Sequence, residues 1–186
     1  MRMLMNRVGR CALVPRRGAF AILCDSIISQ QLSIAAAATI FGRFVRLYPS
    51  RRLTPMAVLA STVPSLRAAG LSEQKVRYVQ DLALAFQDGR VQPRRFSKQS
   101  NEDIIAALTC IKGIGRWTVE MFLIFSLNRL DVLPVDDLGI RQSIQRWYRL
   151  PAPPSPALLR NIAEPWHPYE SIASWYLWKA RRLPES

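Results

Sequence analysis

Two glycines flanking a single isoleucine, in the run IKGIGRWTVE at residues 111–120, constrain this chain more than any other feature. Glycine admits the backbone angles of a tight hairpin and lets backbone N–H groups approach an anion with no Cβ in the way. The flanking segments read as amphipathic helices, from Asn101 or Glu102 to Cys110 and from Arg116 to about Leu127. The second helix therefore aims the positive end of its dipole at the hairpin. Ile111 and Ile114 are spaced to anchor the hairpin in a core, with Lys112 and Arg116 within reach of phosphates. A bare GxG also marks an ordinary helix–turn–helix corner, so the charge of the chain decides the reading. Lys and Arg number 26 against 13 Asp and Glu, a net +13 that attracts polyanions.

Almost every other periodic segment is helical, and no strand pattern survives a count against the helical alternative. Ala19 to Ser29 carries Phe20, Leu23, Cys24, Ile27 and Ile28 at the spacing of one core-facing stripe. Ser33 is placed to cap a helix from Ile34 to Leu47. Short helices are predicted over Met56–Ala60 and Val63–Ala69, the latter stopped by Gly70, and a longer one over Glu73–Gln87 capped by Ser72. Residues 88–100 are polar and broken by Pro93, which predicts a loop. A further helix is predicted from Asp137 to near Arg149, then a rigid proline linker over 151–156, then an aromatic-rich helix from about Tyr169 to Arg181. The linker is the one candidate boundary.

Several classes fall away. Three scattered cysteines and one histidine provide neither zinc-ligand spacing nor a disulfide framework, and a reducing compartment is expected. The first residues are too often interrupted by arginine to form a secretory segment. The longest uncharged run, Ser26 to Gly42, contains Gln30 and Gln31 and is no membrane span.

The run GIGRWT, followed by a helix and PVDDLGI, resembles the helix-hairpin-helix DNA glycosylases, and within them the bacterial 3-methyladenine DNA glycosylase II branch. Two more segments carry the same resemblance: AILCDSIISQQLS at 21–33, a helix ending in a Gln-rich turn, and AEPWHPYESIASWYLW at 163–178, a C-terminal Trp helix. It covers about residues 19–181. The resemblance implies an all-α, two-lobed fold with its active-site cleft between the lobes. It implies one glycosylase domain over 1–186, with the hairpin motif at about 102–127. Segment 1–18 and the C-terminal helix 169–181 are expected to pack on one lobe. The extra N-terminal mixed domain of larger members is not expected here.

Residue by residue, the resemblance places the catalytic carboxylate at Asp137, with Asp136 as the second candidate acid. For an Asp before a helix, capping alone is the ordinary role. A fixed carboxylate would stabilise the oxocarbenium character of a breaking C1′–N bond and orient the attacking water. Trp117, Met121, Trp178 and Gln30 are expected to form the pocket for a flipped base, the tryptophan faces suiting cationic alkylpurines. Gln31 or Leu32 is expected to fill the gap left in the duplex. Lys112, Gly113, Ile114, Gly115, Arg116 and Thr118 form the expected phosphate grip.

By the same resemblance, Trp117 falls at the position where glycosylases that also cleave the strand carry a Schiff-base lysine, so the resemblance implies a monofunctional hydrolase. The expected activity is removal of 3-methyladenine or 7-methylguanine from duplex DNA, leaving an abasic site. A non-catalytic DNA-binding hairpin module and a glycosylase for another damaged base are the alternatives. No cofactor is expected, apart from a monovalent cation that the hairpin is able to hold. A monomer in the bacterial cytoplasm, acting at the nucleoid and away from membranes, completes the reading.

Overall fold

The computed structural model describes residues 1–184, so the last two residues of the domain expected over 1–186 lie outside the described residues. Among the described residues eleven α-helices follow in order: α1 Arg2–Val8, α2 Ala19–Ser29, α3 Ile34–Arg46, α4 Pro55–Leu59, α5 Val63–Ala68, α6 Glu73–Gln87, α7 Asn101–Thr109, α8 Arg116–Phe125, α9 Leu138–Trp147, α10 Pro156–Ala163 and α11 Glu170–Ala180. Short 3-10 turns lie at Pro49–Arg51, Pro93–Lys98 and Glu164–Trp166. Among the described residues there is no strand.

Local chemistry sets these boundaries. Ser33, Thr54, Thr62, Ser72, Ser100 and Ser155 each accept a hydrogen bond from the backbone N–H three residues on. Each satisfies one of the donors that a helix start leaves over. At α7, Ser100 and Asp103 bond reciprocally in a capping box. Gly70, at φ 102°, ends α5 where the Leu71 N–H reaches back to the Leu66 carbonyl at 3.4 Å.

The chain divides into two compact units. One is residues 16–122, where α6 packs on α2, α4 and α5. Leu23, Ile27, Ile28, Phe44, Val58, Leu66, Val79, Leu82, Ile104 and Leu108 are fully buried there. The other joins residues 1–15 to the chain from Leu123 onward. In it α11 packs on α1 and α9, and Leu4, Ile140, Ile144, Leu159 and Leu177 share a core. The Tyr176 hydroxyl, 2.9 Å from the Gly9 carbonyl, ties the chain after α1 to α11.

Three sequence expectations change. No helix is predicted before residue 19, yet α1 forms and buries Leu4; its pattern is one leucine among arginines and methionines. The proline run is not a boundary. Pro156 is the first residue of α10, capped by Ser155, and the units divide instead after Pro15 and within α8. Proline at a first helical position needs no N–H, so a proline-rich segment can open a helix. The segment around Pro93, read as a loop, winds into a 3-10 turn that buries Phe96.

Candidate active site

The hairpin closes after α7 through the Ile111 N–H on the Leu108 carbonyl and the Ile114 N–H on the Ile111 carbonyl, both 3.1 Å. Ile111 and Ile114 are buried. The two glycines do different work. Gly113 adopts φ 84°, and a Cβ there would collide with the Tyr78 ring of α6. A Cβ on Gly115 would meet nothing within 4 Å, so Gly115 is the one with open space for an approaching anion. The backbone N–H of Lys112 is already donated to Asp81 Oδ2 at 2.9 Å, leaving its exposed side chain as the group toward solvent.

Helix α8 starts at Arg116, and its first intrahelical bond runs from the Val119 N–H to the Gly115 carbonyl at 3.2 Å. A helix start in general leaves its first N–H groups without intrahelical acceptors, which suits it to anions. Arg116 itself is spent differently from expectation. Its guanidinium grips both Glu102 oxygens and lies 3.1 Å from Glu120 Oε1. That bonding lowers the Glu102 carboxyl and raises the arginine. Glu120 is buried, so the arginine matches a carboxylate the core has enclosed. Thr118 is also buried, which sets its hydroxyl apart from the exposed Lys112 and Arg116.

The Gln-rich turn meets this hairpin. Gln30 Nε2 donates to the Gly113 carbonyl at 2.7 Å, which commits an amide expected in the base pocket to the hairpin backbone. Gln31 adopts φ 59°, a left-handed conformation uncommon for any residue but glycine. Gln31 and Leu32 are exposed. Lys75 of α6, to which the sequence reading gave no site role, places Nζ 2.6 Å from the Ile28 carbonyl and 2.8 Å from that of Gln30. Nothing in the spacing of residues 73–87 signals that tether.

On α8, Trp117 is 50% exposed, and Met121, one turn on, is half-buried. An indole so open on a helix whose Val119, Phe122, Leu123 and Ile124 are buried is no core residue.

Asp137 and Trp178 come together in the unit that includes α9 and α11. Asp137 caps α9, with Oδ1 accepting the Ile140 N–H at 2.8 Å and the Trp178 Nε1–H at 3.0 Å. It is 7% exposed, whereas Asp136 is exposed. Capping and orientation thus use one oxygen. Gly139 keeps the neighbourhood narrow, since a Cβ there would lie 3.1 Å from Asp137 Oδ1 and 2.9 Å from Arg181 Nη1. Trp178 tilts against Phe125, centroids 5.5 Å apart, and is partly buried while Trp175 and Tyr176 are buried. Among the described residues no three His, Cys, Asp or Glu side chains converge to hold a metal ion.

Comparison with known proteins identifies the family. Residues 24–168 match the model of the HhH-GPD superfamily base excision DNA repair proteins. The chain belongs to that superfamily. Among its HhH-GPD relatives, DNA-3-methyladenine glycosylase 1 of Schizosaccharomyces pombe is 40% identical over 165 residues, 88% of this chain and 72% of that protein. The Escherichia coli DNA-3-methyladenine glycosylase 2 is 30% identical over 162 residues, and the match spans 54% of its length. Of solved structures, the DNA-3-methyladenine glycosidase of Bacillus halodurans superposes with TM-score 0.91 at 35% identity, over 97% of this chain and 83% of that one. The Schizosaccharomyces pombe 3-methyladenine DNA glycosylase in complex with abasic DNA gives 0.84 at 38% identity, over 98% and 91%.

Proposed function

We propose that this HhH-GPD protein is a DNA glycosylase that hydrolyses the N-glycosidic bond of alkylated purines in duplex DNA and leaves an abasic site. The observation that carries the reading is Asp137, enclosed and oriented by the α9 N-terminus and the Trp178 indole N–H. As the C1′–N bond lengthens, positive charge grows on the sugar, and a carboxylate fixed in advance stabilises it without reorganising. The bonding pair leaves with the base, already cationic in 3-methyladenine and 7-methylguanine. A water oxygen adds to C1′ and gives up a proton, which Asp137 is positioned to accept. The names of the relatives, at 30–40% identity, support alkylated purines as the substrate class.

Trp117 presents an exposed ring suited to stacking a base. An indole offers no amine for a Schiff base, which supports hydrolysis without strand cleavage. The grip on the strand is assigned to Gly115, the first N–H groups of α8 and the Lys112 side chain. A monovalent cation at the hairpin would be held by its backbone carbonyls, each of which keeps a second lone pair beside any N–H it accepts.

Release of methylated bases from alkylated duplex DNA tests the reading. The wild type is expected to release 3-methyladenine or 7-methylguanine, and Asp137→Asn to be slower by roughly 100-fold or more. Release of neither base by the wild type, or full activity in Asp137→Asn, would overturn it. Borohydride trapping of a covalent enzyme–DNA product would overturn the hydrolytic part.

A further inference from the structure

One face of α6 touches both the glycine hairpin and the end of α2 in the unit of residues 16–122. Lys75, Tyr78 and Asp81 follow one another at three-residue steps along it. Asp81 holds the Lys112 N–H, and Tyr78 lies against Gly113 with its hydroxyl accepting from Gln74 Nε2. Lys75 reaches instead to the end of α2, where its ammonium donates to the carbonyls of Ile28 and Gln30. Gln30 closes the triangle by donating to the Gly113 carbonyl.

The carbonyls at a helix C-terminus lack intrahelical partners and carry the negative end of the dipole, so a cation is suited to them. Here the cation comes from a separate helix, 45 residues away from Gln30 along the chain. A half-buried ammonium loses hydration, and burial pulls Lys75 below the ordinary lysine range. An interaction limited to packing would not need that charge. What lies just past the tethered carbonyls is Gln31, left-handed and exposed, followed by exposed Leu32. A non-glycine residue holds such a conformation only where its surroundings impose it.

We infer that Lys75 is a positioning residue that pre-sets the Gln31–Leu32 turn for entry into the duplex and, with Gln30, fixes that turn to the phosphate-gripping hairpin. Strand grip and insertion then act as one rigid body, and the ordering of the turn is complete before DNA arrives. The inference rests on reading this turn as the segment that fills the space of the flipped base.

A duplex with a tetrahydrofuran abasic analogue opposite 2-aminopurine tests it, because insertion of the turn unstacks the fluorophore and raises its emission. At saturating protein, Lys75→Met is expected to lose at least half of the wild-type rise, and Lys75→Arg to recover most of it. Affinity for an undamaged duplex, which reads only the grip, is expected to change less than twofold. A full rise in Lys75→Met overturns the inference. So does an equal loss of affinity for both duplexes with a lowered melting temperature, which would make Lys75 merely structural. Hydrogen exchange on the wild type needs no variant: the Leu32 amide, bonded to the Ser29 carbonyl at 3.2 Å, is expected to be protected in the free protein. Its complete exchange at the earliest time would also overturn the inference. A wild type that binds the abasic duplex without raising the fluorescence refutes insertion by this turn and leaves base release, measured separately, standing.

Discussion

Asp137 carries two tasks through one oxygen, because Oδ1 receives both the cap N–H of Ile140 and the indole N–H of Trp178. The cap alone would hold the carboxylate near α9, and the indole adds a second direction that fixes its plane. Trp178→Phe keeps a ring against Phe125 while deleting that donor. A hydrogen bond to a charged group contributes about 1.5–3 kcal/mol. If much of it is needed in the transition state, single-turnover base release should slow by roughly 10-fold. The melting temperature should move little. Unchanged release would mean that the cap suffices. Adjacent Asp136 and Asp137 are indistinguishable by residue type, and their environments separate them, one exposed and one enclosed. Arg116 shows the opposite limit. Beside two glycines in a basic chain it reads as a phosphate contact, but the carboxylates that claim it lie 14 residues back and four ahead.

The hairpin is an element whose two glycines the sequence presents as equals. Gly113 needs both the left-handed angle and the missing Cβ that admits Tyr78, whereas Gly115 faces open space. Gly113→Ala is therefore expected to destabilise the protein by roughly 2–4 kcal/mol, from overpacking and an unfavourable φ together. Gly115→Ala should leave the melting temperature nearly unchanged, since a Cβ there meets nothing within 4 Å, and weaken DNA binding instead if the proposed grip receives the strand at that space. Thermal unfolding and a binding titration on both variants check this, and equal melting losses would contradict the division. Helix boundaries were legible where the signal is local: Ser72 with Gly70 marks α6, Ser33 marks α3, and the Asp before α9 caps it. Helix α1 was not, since seven residues with one buried leucine form a helix only through tertiary packing. The Lys75 tether was invisible for a related reason: the periodicity of α6 says which face is apolar and nothing about which carbonyls a lysine will find.

Across the whole molecule the net charge of +13 sets the strength of attraction to DNA, but its distribution determines how much of that charge counts. Arginines matched by carboxylates, as Arg116 is by Glu102 and Glu120 and Arg16 is by Asp25 at 3.0 Å, contribute little to counterion release. If about four phosphates are neutralised on binding, log affinity should fall with log salt at a slope near −3.6, roughly 100-fold between 50 and 200 mM. The slope should respond to individual residues in a way that total charge does not predict. Lys112→Gln removes an exposed cation at the hairpin and should flatten it by about one. Arg116→Gln removes the same formal charge from a site where carboxylates already balance it, so the slope should stay within a few tenths of wild type. Titrations of the two variants over the same salt range decide the point. Equal flattening would mean that DNA draws Arg116 away from its carboxylates, and that Glu102 and Glu120 compete with the phosphate for the same guanidinium.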